Sequence, residues 1–225
     1  MWGQAQKRGR RKRQKGETMS KYLEDMRNTV RGYNERVKVA RQKVDRIRED
    51  YGEEAATKEQ ERQGAALQQE RARAEAAIRE AYSEGVYFAE QWGKLAGGDL
   101  TDDAKLLDGG LVNPAQFDEL KSRYKNNATM LAALKQYGDK QNQAAAQAAH
   151  EKGDHAGAWG AGGYNTRDIP TVAGKLENWK KLRDGAINLL DMSDGTGKYS
   201  DPYMRSFAAE MGGNAIDTFG QGIDV

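Results

Sequence analysis

The sequence predicts an all-α protein, and three observations lead there. Apolar residues recur at alternating steps of three and four from Leu23 to Tyr51. No proline occurs before Pro114, so nothing in the first half is obliged to break a helix. Hydrophobic residues make up 37% of the chain against 31% charged, too few for a thick sheet sandwich but enough for narrow helix stripes. The expected order is a basic segment over 1–18, then a long coiled-coil helix or helical hairpin over 20–92. A small helical unit over 100–140 follows, then an Ala/Gln- and Gly-rich linker over 141–174. Short helices and a tail complete the chain over 175–225.

Composition narrows the function classes. There are no cysteines, which excludes disulfides, thiolate metal sites and thiol nucleophiles. No apolar run reaches the roughly 18 residues of a membrane span, and no apolar h-region follows the basic start. The expectation is an intracellular protein with no membrane partner.

Residues 7–19 read KRGRRKRQKGETM, with seven bases and one acid before Met19. One reading is a phosphate-binding arm, with Arg8, Arg10, Arg11, Lys12 and Arg13 as nucleic-acid contacts. A second is a short basic address. The third, which we favour, is upstream translation. Lys15-Gly16-Glu17-Thr18 permits a purine-rich ribosome-binding tract directly before an ATG at Met19. Without those residues, the 36 bases and 34 acids become 29 and 33, and net charge moves from +2 to −4. On that reading a nucleic-acid partner is expected only when residues 1–18 are present.

The front seam is Leu23, Met26, Val30, Tyr33, Val37, Ala40, Val44, Ile47 and Tyr51, an a/d heptad repeat over four heptads. The flanking positions hold charge, which makes the stripe narrower than that of a helix lying on a globular core. In a parallel homodimer Arg36 would oppose Arg41, and Lys43 would oppose Arg48, so parallel self-pairing is disfavoured. These four bases are the expected orientation charges. Residues 21–50 carry net +3 and residues 53–84 net −3, so an acidic partner strand lies next along the chain. The apolar seam lapses after Tyr51 and resumes as Leu67, Ala74, Ile78 and Ala81. Two arrangements follow: a fold-back near Gly52 or Gly64, or a continuous helix of about 110 Å. A glycine costs a helix only about 1 kcal/mol, so we favour the continuous or kinked helix, paired antiparallel with a second chain.

Beyond Gly93, Gly97 and Gly98, Thr101-Asp102-Asp103 opens a short helix through Leu107. Asn113-Pro114 opens another, with proline in its first turn. Phe117, Leu120, Tyr124, Met130, Leu131, Leu134 and Tyr137 supply the apolar faces of a compact helical pair. This region carries a resemblance. Asp103-Ala104-Lys105-Leu106-Leu107, Phe117, Tyr124, Asn126-Asn127-Ala128-Thr129-Met130-Leu131 and Tyr137, after a charged helix, are similar to small helical coiled-coil proteins from the structural gene region of tailed bacteriophages. The resemblance covers about a third to a half of the chain and includes no catalytic motif. It implies a structural or assembly role, with the host cytoplasm or the virion as location, and carries over no site residues.

In the tail, QNQAAAQAA reads as a weak helix and GDHAGAWGAGG as a flexible loop. Leu176, Trp179, Leu182, Ala186 and Leu189 mark a short amphipathic helix, and Met204, Phe207 and Met211 another. Three chemical motifs come close and fail. HEKGDH places His150 and His155 five apart rather than four, which on a helix turns the second imidazole away, so a solvent-exposed linker is expected there. DGTGKYS lacks the leading glycine and the hydroxyl residue of a phosphate loop. DMSDGTGKYSD has its glycine at the fifth rather than the sixth position of a calcium loop. The expectation is therefore a non-enzymatic structural or assembly protein without metal or cofactor. It would pair with itself or with another virion or assembly protein through the seam. The alternative is a nucleic-acid-associated protein using residues 7–15.

Overall fold

The computed structural model describes residues 19–95, 97–158, 160–201 and 218–221, with positions 204, 215 and 223. Among the described residues there is no strand. The helices are α1 (Met19–Tyr51), α2 (Glu53–Trp92), α3 (Asp103–Asp108), α4 (Pro114–Arg123), α5 (Ala128–Glu151) and α6 (Val172–Asp194), with 3-10 turns at Gly97–Asp99 and Gly197–Tyr199. Contacts divide the chain into two compact units. One comprises the residues up to Gly85 together with Lys180–Ile223; the other is Val86–Trp179.

In the first unit α1 and α2 form a hairpin within one chain. Gly52 sits at φ +83°, a left-handed conformation that L side chains rarely adopt, and forms the whole connection between the helices. Its N–H donates to the Arg48 carbonyl at 3.0 Å, and its own carbonyl accepts from the Ala56 N–H at 3.2 Å. Glu53 and Glu54 then occupy the first turn of α2, where the helix dipole favours acids. Lys43 Nζ pairs with Glu59 Oε1 at 2.7 Å, and Arg36 pairs with Glu70. One partner number falls as the other rises, which is the register of antiparallel helices.

The continuous helix and its interchain pairing are therefore corrected. The opposite charges of 21–50 and 53–84 meet inside one polypeptide. A fold-back at glycine costs little, and it buries the seam without the entropy loss of bringing two chains together. Gly64, the other fold-back candidate, lies inside α2.

The Lys180–Asp194 stretch of α6 completes this core. Val30, Tyr33 and Val37 cluster with Ala74 and Ile78 of α2 and with Ala186, Leu189 and Leu190 of α6. Leu67, Met204 and Phe219 pack at its margin. At the start of α1, Leu23 approaches Leu182 and Gly220 so closely that a Cβ on Gly220 would lie 2.7 Å from Leu23 Cδ1. Burying each such aliphatic side chain contributes roughly 1.5–3 kcal/mol. The seam is thus a core shared by three segments of the chain. Phe207 and Met211, expected on a further helix, lie outside the described residues.

In the second unit Leu107, Val112, Phe117, Leu120, Leu131, Leu134, Tyr137 and Ile169 form one core. The helix starts follow their local chemistry. Asn113 makes a reciprocal capping box with Gln116, and the Asn127 side chain accepts from the Met130 N–H. The linker expectation needs correcting at both ends. α5 runs through QNQAAAQAA to Glu151, and the chain beyond it returns onto the core. Tyr164 and Tyr137 both donate to the Val112 carbonyl at 2.8 Å, and the Tyr164 ring stands edge-on to Phe117 and Tyr137. Thr166 donates to Asp139 at 2.6 Å, a bond that holds the Asp139 carboxyl below its ordinary range. Gly138 permits this approach, because a Cβ there would lie 2.5 Å from Thr166 Cγ2 and 3.0 Å from the Phe117 ring.

Candidate functional site

The densest polar cluster in the first unit forms where α6 ends. Asp191 and Asp194 occupy the last turn of that helix, where the dipole disfavours negative charge. Arg71 of α2 offsets this. Its Nη1 donates to Asp194 Oδ2 at 2.6 Å and to Thr196 Oγ1 at 2.7 Å, its Nη2 donates to Asp191, and its Nε to Glu75 at 3.1 Å. Tyr33 of α1 donates to the same Asp194 oxygen at 2.7 Å. Three helices and the following turn therefore converge on one guanidinium.

The turn is shaped to reach it. Gly195 and Thr196 both donate to the Asp191 carbonyl, at 2.9 and 3.0 Å. Gly195 takes φ +73° and Gly197 φ +56°, closing the helix with left-handed residues.

The electrostatics follow from burial and pairing. Tyr33 is pushed above the ordinary tyrosine range, first by burial and then by its hydrogen bond to the Asp194 carboxylate. Burial works against the charge on Arg71, but hydrogen bonds to Asp191 and Asp194 outweigh it and strengthen the guanidinium's hold on its proton. The cluster's donors and acceptors are matched to one another, so its chemistry is that of a clamp. This also explains why DMSDGTGKYSD is not a cation loop: Asp191 and Asp194 face an arginine. The sequence signal for this cluster was two aspartates at the C-terminal end of an amphipathic helix, a placement that requires a cation nearby.

The expected site residues fall as follows. Leu23, Met26, Val30, Tyr33, Val37, Ala40 and Val44 are buried, Ile47 is half-buried, and Tyr51 is 76% exposed beside the hairpin turn. The orientation charges all find partners in their own chain. Arg36 meets Glu70 and Lys43 meets Glu59; Arg41 donates to the Ser193 carbonyl at 2.7 Å, and Arg48 meets Asp45 and Glu53. Lys43, ahead of Gln63, holds the Glu59 carboxyl below the usual range. A shallow groove of about 330 Å³ runs between α1 and α2 over Gly32 and Ala74, with Arg36 and Arg73 at its edge, both paired with Glu70. Arg8, Arg10, Arg11, Lys12 and Arg13 lie outside the described residues.

One expectation about side-chain geometry is reversed. His150 and His155 are not turned apart: their Nδ1 atoms lie 2.9 Å from each other. Helix α5 ends between them, and Gly153 at φ +76° turns the chain back. Helical spacing no longer applies once the helix has stopped.

Among the described residues no three His, Asp or Glu side chains converge as a metal site, and no helix is long and apolar enough to cross a membrane. No protein-family model matches the chain, and neither curated proteins nor solved structures yield a match.

Proposed function

We propose that the chain is a non-enzymatic structural or assembly protein of the tailed-phage virion type, working as a self-contained helical hairpin module. The observation that carries this reading is the Arg71 clamp. The most strongly interacting ionisable groups of the first unit are spent on fixing α1, α2 and α6 against one another. That investment suits an element that must hold its shape under assembly rather than turn over a substrate. The likeness of residues 103–137 to small phage structural proteins supports the same role. Because Val30, Tyr33 and Val37 are buried by their own chain, the hairpin enters an assembly already folded instead of lending a bare seam to a partner helix.

The test is fractionation of particles produced from the replicon that encodes the chain. On this reading the protein co-purifies with mature or precursor particles at a fixed copy number. Its presence only in the particle-free fraction contradicts the proposal.

A further inference from the structure

The pair His150–His155 belongs to neither the core nor the clamp, and its geometry is specific. We propose that the two imidazoles form a bidentate surface site for a divalent late transition-metal ion of the Ni²⁺ or Cu²⁺ class, bound through Nδ1 of each ring.

The separation is the first argument. Metal–imidazole bonds are about 2.0–2.1 Å long, so two nitrogens 2.9 Å apart subtend about 90° at a shared metal. That is the cis angle of square-planar or octahedral coordination, which Cu²⁺ and Ni²⁺ adopt, whereas the tetrahedral angle of Zn²⁺ needs a wider pair.

The backbone supplies the second argument. His150 is in the last turn of the 24-residue helix α5. The Gly153 N–H donates to the His150 carbonyl at 2.9 Å and the Asp154 N–H to the Ala149 carbonyl at 3.0 Å, a left-handed helix stop. Asp154 Oδ1 then accepts from the Gly157 N–H at 2.8 Å, bridging the segment that carries His155. Both rings are therefore placed by a hydrogen-bonded turn.

Electrostatics add a third. A helix C-terminus presents partial negative charge and favours cations, and Glu151 and Asp154 together outweigh Lys152 within the turn. Without metal, the contact requires one Nδ1 to donate and the other to accept. Metal binding displaces that proton and uses both lone pairs. Both side chains are exposed, so water fills the remaining coordination positions.

The test is calorimetric titration of the untagged full-length chain with NiCl₂. One Ni²⁺ per chain is expected, with affinity falling about tenfold or more in both His150→Ala and His155→Ala. Gly153→Ala keeps both imidazoles but opposes the left-handed turn, and it should weaken binding as well. Circular dichroism of each variant confirms that the helices remain. Wild-type affinity in either single-histidine variant means that the rings act singly and overturns the proposal, as does binding no stronger than that of the double variant.

Discussion

Arg71 on α2 and Asp194 at the end of α6 meet at 2.6 Å, although 123 residues separate them. The contact ties the tail of the first unit to its hairpin, and Tyr33 shares the same carboxylate oxygen. Replacing Arg71 with Met preserves much of the side chain's length and removes its charge. Asp191 and Asp194 would then face each other at a helix C-terminus without a cation. Urea unfolding should show a loss of about 3 kcal/mol, the scale for breaking a largely buried pair from one side.

The same contact has a sign at high pH. The folded-state pKa of Tyr33 is raised, so its contribution to stability is complete below the unfolded value of about 10 and is lost as pH rises beyond it. Tyr33→Phe should be less stable than the parent at neutral pH, because it gives up the bond to Asp194. It should also lose stability less steeply above about pH 10. Thermal melts from pH 7 to 11 measure both, and parallel curves would contradict the assignment.

Asp139 works at the opposite end of the pH scale. Thr166 holds its folded-state pKa low, so the contribution is present above the ordinary carboxylate value and is lost as pH falls through the folded value. Thr166→Val should flatten the acid side of the stability profile, read from melts between pH 2 and 6.

Gly138→Ala should destabilise, although alanine is the better helix former. The added methyl meets Thr166 Cγ2 and the Phe117 ring, and overpacking of this kind costs about 1–3 kcal/mol. Thr166→Ser in the same chain removes the nearer obstacle and should restore part of the loss in a thermal melt.

Lys43→Glu alone should weaken the hairpin and Glu59→Lys should repair it within the same molecule. The coupling should be small, about 0.2–1 kcal/mol, because Lys43 is half exposed. A double-mutant cycle on the monomer measures it. Coupling that appears only at high protein concentration would place the pair between chains.

The period of the front helix was legible in the sequence, but its partner was not. A three-four alternation records that one face is covered and says nothing about what covers it. Val37 looks the same against a second chain as against Leu190. The charge halves correctly suggested antiparallel neighbours, and Gly52 held the information that they belong to one chain. That information was obscured because a glycine is cheap inside a helix and equally suited to ending one. Tyr51 kept the spacing yet lies exposed, since the turn begins one residue later. In the second unit, Asn113-Pro114 announced α4 because capping is local chemistry. The return of Tyr164 and Thr166 onto α5 was hidden, because it depends on a missing side chain at Gly138. The histidine pair was hidden for a similar reason: a left-handed glycine converts a spacing of five from divergent to convergent.

The claim under all of this is that the seam of α1 is covered by its own chain, and the absence of cysteine makes it directly measurable. Val39 and Ala65 are both exposed, on α1 and α2, and their cysteine variants can carry spin labels without background. With the labelled chain diluted in excess unlabelled protein, the hairpin predicts a label separation below about 20 Å, since packed helices lie 8–10 Å apart. A separation near 39 Å, the span of 26 residues in one continuous helix at 1.5 Å each, would contradict it. So would a short distance that disappears on dilution.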